Sequence, residues 1–114
     1  MPMMPWPPSV NHYYERNRSG GVRIGKAGLK YRDAIALLFR GFDTISGPIS
    51  VDITAHPPDN RRRDLDNLLK CTLDALQKAG VYQDDFQIDR LTVSRACPVK
   101  DGRLIVRIEN ICEM

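Results

Sequence analysis

The spacing of apolar residues changes several times along the chain, and each change predicts an element. "ISVDITAH" alternates Ile49, Val51, Ile53 and Ala55 with polar neighbours, which predicts a strand over Ile49–His56. From Lys26 to Phe42 the spacing is instead three and four. Ala27, Tyr31, Ile35, Leu38 and Phe42 share one face, so this stretch predicts an amphipathic helix. A second stripe is clearer: Leu65, Leu68, Leu69, Thr72, Leu73, Leu76 and Ala79, with Gly80 as the C-terminal stop. "RLTVSRA" (Arg90–Ala96) and "RLIVRIENI" (Arg103–Ile111) alternate again on either side of the turn Lys100–Gly102, and predict a hairpin. With a short strand at Val22–Ile24, the order is roughly β-α-β-α-β-β. That is an α/β or α+β fold, a small mixed sheet with two main flanking helices.

The segments between these elements are punctuated by proline, glycine and arginine. "MPMMPWPPS" must be extended or edge-like, because proline fixes φ and lacks a donor; Trp6 reads first as a packed aromatic and second as a nucleic-acid contact. "NHYYERNRSGG" is irregular and places Arg16 and Arg18 in a basic loop. Gly47 and Pro48 break the chain before the Ile49 strand, and "PPDNRRR" is a turn after it. "VYQDDFQID" is a loop or strand start carrying Asp84 and Asp85. Neither repeats nor a linker divide the chain, so 1–114 reads as one domain.

Composition narrows the chemistry by exclusion. The three cysteines, Cys71, Cys97 and Cys112, are odd in number and lack metal-ligand spacing, so they read as reduced thiols in a cytoplasmic protein. His12 and His56 form no zinc pattern, so any metal here is a hard cation on oxygen ligands. No apolar run approaches the roughly 20 residues that cross a bilayer, and the N-terminus carries no signal pattern, so a membrane role is not expected. The net charge of +3 is modest, but its distribution is uneven: residues 1–63 hold 10 Lys/Arg against 5 Asp/Glu, and residues 64–114 hold 7 against 9. Basic surface beside an acidic cluster suits a polyanion brought to bound cations, although a solvated surface of mixed charge gives the same totals.

The sign changes inside "RRRDLDNLLK", Arg61–Lys70. Leu65 is the first residue of the second stripe, so Asp64 falls at the N-cap and Asp66 in the first turn, where the helix dipole favours carboxylates. Capping is one reading of the pair. Cation binding is the other, and geometry permits it only here: inside a helix, residues two apart point about 200° apart, whereas at a helix start the first is still extended and the two side chains can converge. Lys70, four residues after Asp66, either pairs with it on the surface or steadies the charge of an attacked phosphate or orients the attacking water. Lys26 and Lys30 lie off the apolar stripe of the first helix and are free to meet phosphate or water. A third carboxylate has two candidates, Asp84 and Asp85, with a plain turn as the alternative. Asp64 to Ala79 spans about 22 Å of helix, and the five residues from Gly80 to Asp85 reach back at most about 17 Å. The chain must therefore run back nearly extended, or a partner subunit must supply the third ligand.

Taken together, "PWPPSVNHYY", "RRRDLDNLLK", "LDALQKAGVYQDD" and "GRLIVRI" resemble, in order and over nearly the whole chain, the RusA family of Holliday junction resolvases. The resemblance implies a RusA-like fold and a homodimeric, Mg²⁺-dependent endonuclease, with Mn²⁺ as a substitute, from a phage, a prophage or its bacterial host. Its substrate would be four-way junction DNA, cut by two symmetric nicks in recombination and repair. By position, the family's essential carboxylates fall on Asp64, Asp66 and Asp85 and its lysine on Lys70, with Asp84 as a helper. Arg63 and Asn67 match DNA-contacting or site-shaping positions, and Arg61, Arg62, Arg16, Arg18, Lys26 and Lys30 would hold backbone phosphates. One departure is visible: only five residues precede Trp6, so the family's first strand should be short or absent. Two other functions compete, a DNA-binding scaffold without cleavage and a Mg²⁺ nuclease for flaps or other branched DNA. The intact aspartates and Lys70 argue against the first, and a substrate panel separates the second.

Overall fold

Prolines at positions 2, 5, 7 and 8 keep the start of the chain extended, and Met4–Pro5 (β1) pairs antiparallel with the last strand. The computed structural model describes residues 2–111; Cys112, expected as a thiol, lies outside the described residues. One helical turn, Val10–Tyr13 (α1), leads into Tyr14–Arg16 (β2) and Val22–Ile24 (β3), which pair with each other as a small antiparallel ribbon. The helix Lys26–Leu38 (α2) and the strand Ile49–His56 (β4) follow. A 3₁₀ turn at Leu65–Leu68 runs straight into the helix Leu69–Lys78 (α3). A second 3₁₀ turn, Asp85–Gln87, opens the strand Ile88–Arg95 (β5), and Arg103–Asn110 (β6) closes the fold.

The α+β class and the mixed sheet are as expected, with β1 as the short first strand. The expected hairpin is not. Sheet order is β1-β6-β4-β5, so β4 lies between β5 and β6. β6 is antiparallel to β4, and β5 is parallel to it (Val51↔Leu91, Ala55↔Arg95). Parallel neighbours need a long crossover, and α3 supplies it. The turn at Lys100–Gly102 is real, with Asp101 and Gly102 at φ 67° and 69°. However, it ends a connection that climbs over the end of β4, where Ala96 N–H donates to Ala55 O and Val99 N–H to Pro57 O.

α2 and α3 cover one face of the sheet, and the core lies between: Ile35 and Phe39, Cys71 and Leu76, Ile49 and Ile53, Leu104 and Val106. Burial pushes the Cys71 thiol up to about 12, which leaves it a packing residue. On α2 the expected stripe is displaced. Tyr31 and Ile35 are buried, but their companions are Gly28 and Phe39, while Ala27, Leu38 and Phe42 are exposed. Gly28 explains the shift, since a Cβ there would come within 2.7 Å of both Tyr13 and Ile24. Its bare backbone is what lets α1 and β3 lie against the helix. The other face of the sheet carries Asp52, Thr92, Arg107 and Glu109 and is exposed.

Candidate active site

The segment after β4 is fixed by one carboxylate. Asp59 accepts from the backbone N–H of Arg61 (2.9 Å) and from the Arg63 guanidinium (2.8 Å), and the Arg63 bond above all holds it below the usual carboxylate range. Arg63 in turn lies over the Trp6 ring, its Cζ 5.9 Å from the centroid. Arg95, at the end of β5, donates to the carbonyl of Arg63. The arginine run is thus tied to β5 and to the N-terminal segment, with Arg61 and Arg62 left exposed.

Asp64 sits where an N-cap belongs, with φ −84° and ψ 138°, but its side chain makes no capping hydrogen bond. Its carbonyl does that work, accepting from Asn67 N–H at 3.2 Å. Leu65 and Leu68 turn inward, and Asp64 and Asp66 are both exposed. The capping half of the sequence reading therefore survives as backbone geometry only, and both carboxylates are free for another partner. Lys70 stands exposed one turn further on. It forms no ion pair with Asp66 among the described residues, which removes the surface-pair reading. Asp74, next in that row, is committed elsewhere: Tyr13 and Arg32 both donate to it, with Arg32 Nε at 3.0 Å. Burial raises the Asp74 pKa, but these hydrogen bonds outweigh it, and the net shift is downward, with Lys70 contributing.

Asp84 and Asp85 differ sharply. Asp84 accepts from Phe86 N–H at 2.9 Å, while Gln87 Oε1 accepts from the Asp84 N–H at 3.0 Å, a reciprocal capping box. Asp84 thus has a capping role through its Oδ1, whatever its second oxygen does. Asp85 is partly buried, its N–H donates to Gln77 Oε1 (3.2 Å), and its carboxylate lies beside the Tyr82 hydroxyl, with Oδ1 left without a well-formed hydrogen bond among the described residues. Gln77 lies in the last turn of α3. Asp85 thus lies beside the C-terminal half of α3, about 15–20 Å from Asp64 by helical rise. Among the described residues no three His, Cys, Asp or Glu side chains gather into a metal site. One chain does not bring Asp64, Asp66 and Asp85 together, and the extended return of the chain along α3 does not occur.

Arg61, Arg62, Arg63, Asp64 and Asn67 do converge, around a cavity of about 320 Å³ that Arg95 and Trp6 also line. Arg16, Arg18, Lys26 and Lys30 are exposed on the β2–β3 ribbon and the start of α2 and do not line it. Asp59, Arg95 and the position of Trp6 escaped the sequence reading. Asp59 precedes Arg61 and Arg63 by two and four residues, a spacing that carried a signal. Arg95 carried none until β5 was known to lie beside β4.

Residues 5–109 match the sequence model of the family described as Endodeoxyribonuclease RusA. The chain is 44% identical over 108 residues to the crossover junction endodeoxyribonuclease RusA of Enterobacteria phage 82, covering 92% of this chain and 89% of that protein. The protein of that name from Escherichia coli K12 is 43% identical with the same coverage, and one from E. coli O139:H28 is 39% identical over 111 residues, 95% and 92% of the two chains. No helix of the described residues is long and apolar enough to cross a membrane. Fold, motif order and near-complete coverage agree: the chain belongs to the RusA family of endodeoxyribonucleases.

Proposed function

We propose that the chain acts as a homodimer that nicks four-way DNA junctions in pairs, each active site being built from two subunits. The observation that carries this reading is the separation of the carboxylates: Asp64 and Asp66 are exposed before the start of α3, Asp85 is half-buried beside its C-terminal half, and no three acidic side chains gather among the described residues. One chain alone does not fit a three-carboxylate cation site. Two chains would, with Asp64 and Asp66 of one subunit facing the partner's Asp85 across a two-fold axis.

β5 offers the surface. It pairs with β4 on one side, and no strand of the described residues occupies the other. Leu91 along it and Phe86 in the turn before it are 40% and 90% exposed. Antiparallel pairing of two β5 edges would set the Asp85 end of one strand beside the Arg95 end of the other. Arg95 is already bonded to Arg63, next to Asp64. A Mg²⁺ ion, or Mn²⁺ in its place, held by these aspartates would supply an activated water and offset charge on the leaving oxygen. The protein's own groups do the rest. Arg61 and Arg62 meet backbone phosphates, with Arg16, Arg18, Lys26 and Lys30 available to more distant arms of the junction. Lys70, in no ion pair among the described residues and one turn from Asp66, stabilises the charge that develops on the attacked phosphate.

The test is cleavage of an immobile four-way junction, a flap and a plain duplex with Mg²⁺. Paired nicks in the junction, and their loss with retained binding in Asp66→Asn, are expected. Equal cleavage of flap and junction, or full activity in that variant, would overturn the assignment.

A further inference from the structure

Phosphate contacts do not account for the cavity beside Asp64. Its volume, about 320 Å³, lies at the lower end of the range for small-molecule sites, about 300–1,000 Å³. Its walls are of two kinds. Pro7, Pro57, Pro98 and Leu65 give it an apolar lining that a phosphate site does not need. Trp6, with the Arg63 guanidinium over its ring, gives it an aromatic and cationic wall.

Both groups of that surface are held in place. Trp6 stands between Pro5 and Pro7, whose rings fix the backbone on either side. Gly102 backs it so closely that a Cβ there would meet the Trp6 Cβ and Pro58 at 3.0 Å. Arg63 is clamped by Asp59 at 2.8 Å, so its charge is already answered and its plane is fixed. That separates it from Arg62, which is exposed and forms no ion pair among the described residues. Within the arginine run, Arg62 is suited to a phosphate and Arg63 to a stacked ring. Asn67 also lines the cavity, and its side-chain amide has no hydrogen-bond partner among the described residues.

We infer that this cavity receives one nucleobase of the strand being cut, unstacked from its neighbours, with Trp6 and Arg63 as its platform and Asn67 against its polar edge. The inference rests on the junction-nuclease reading and deepens it. Unstacked bases are held on aromatic rings and arginine planes elsewhere in nucleic-acid recognition, and an amide that both donates and accepts can read a base edge. Because Asp64 lines the same cavity, the base would belong to a nucleotide flanking the scissile phosphate. Unstacking costs least where pairing is already strained, as at a branch point. The cavity would thus give the enzyme a base preference at the cut and a reason to cut near the branch.

The experiment places a single 2-aminopurine at each position within three nucleotides of the cut and follows its fluorescence when Asp66→Asn protein binds the junction. A large change at one flanking nucleotide and not three away is expected, and its loss when Trp6→Ala is added. An abasic site at that nucleotide should slow nicking by wild-type protein by about tenfold, and Trp6→Ala should erase the difference between abasic and intact junctions. Trp6→Phe, which keeps a ring, should restore both signals, and guards against a folding defect in Trp6→Ala. An unchanged fluorescence response in Trp6→Ala, or equal nicking of abasic and intact junctions by wild-type protein, would overturn the inference. Absence of any nicking by wild-type protein would instead sink the nuclease reading, while the fluorescence arm would still report on the cavity.

Discussion

The chain has two acidic pairs at the starts of two 3₁₀ turns, and the fold uses them in opposite ways. At Asp84–Asp85 the first carboxylate caps its turn through a reciprocal capping box. At Asp64 the same position is occupied and the backbone has the same extended form, yet the carboxylate caps nothing. A helix-start aspartate that fails to cap has given up about 1 kcal/mol of local stability, and in a small domain such a loss points to another use. The comparison also separates the two second members. Asp66 is exposed beside Asp64, whereas Asp85 is half-buried with its carboxylate beside the Tyr82 hydroxyl. Neither end of α3 gathers three carboxylates among the described residues.

The sharpest way to break this contrast is to remove one carboxylate from each pair. Asp64→Asn should cost nicking about a thousandfold, the rate equivalent of several kcal/mol, and leave the melting temperature unchanged because nothing depends on its side chain. Asp84→Ala should do the reverse: junction cleavage is kept at low temperature, and the fold loses about 1 kcal/mol, seen as a melting point lower by about 4 °C. If Asp84→Ala abolished cleavage in a folded protein, the division between capping and chemistry would be wrong. Lys70→Ala comes next, with single-turnover nicking slowed by about a hundredfold and junction affinity nearly unchanged. A matching loss of affinity would make Lys70 a phosphate anchor instead.

The smallest effect concerns Asp74, the carboxylate of α3 that is structural. Its folded pKa is depressed by Tyr13 and Arg32 against the opposing effect of burial. Its stabilisation is therefore present above the unfolded value, about 4, and lost as pH falls through the lower folded value. Melting measured downward from pH 5 should show this loss, and Asp74→Asn should flatten the acid limb. An unaltered acid limb would mean that other carboxylates set it.

Much of this was legible in the sequence, for physical reasons. The stripe from Leu65 to Ala79 is long and regular, so a helical run after Asp64 followed from spacing, although its first turn, Leu65–Leu68, is 3₁₀ and α3 itself begins at Leu69. The parts that misled are those in which local pattern leaves pairing open. β5 and β6 both alternate and a genuine turn precedes β6, so a hairpin was the economical reading; nothing local states that β4 inserts between them. That error hid Arg95, which reaches Arg63 only because β5 runs parallel to β4. On α2, apolar spacing favoured Ala27 and Leu38, but the close approach of Tyr13 at Gly28 rotated the buried face by one position. The length estimate for the Asp85 return was informative because it offered two alternatives, and the intrachain one is absent from the fold.

The composite site can be tested without a structure of the dimer. Asp66→Asn and Asp85→Asn proteins should each be inactive alone. In a mixed dimer with sites shared between subunits, one site carries both substitutions and the other carries neither. Mixing the two under conditions of subunit exchange should therefore restore nicking, as single nicks in place of paired ones. Mixed dimers that form and remain inactive would contradict the account, because each site would then be built from one chain.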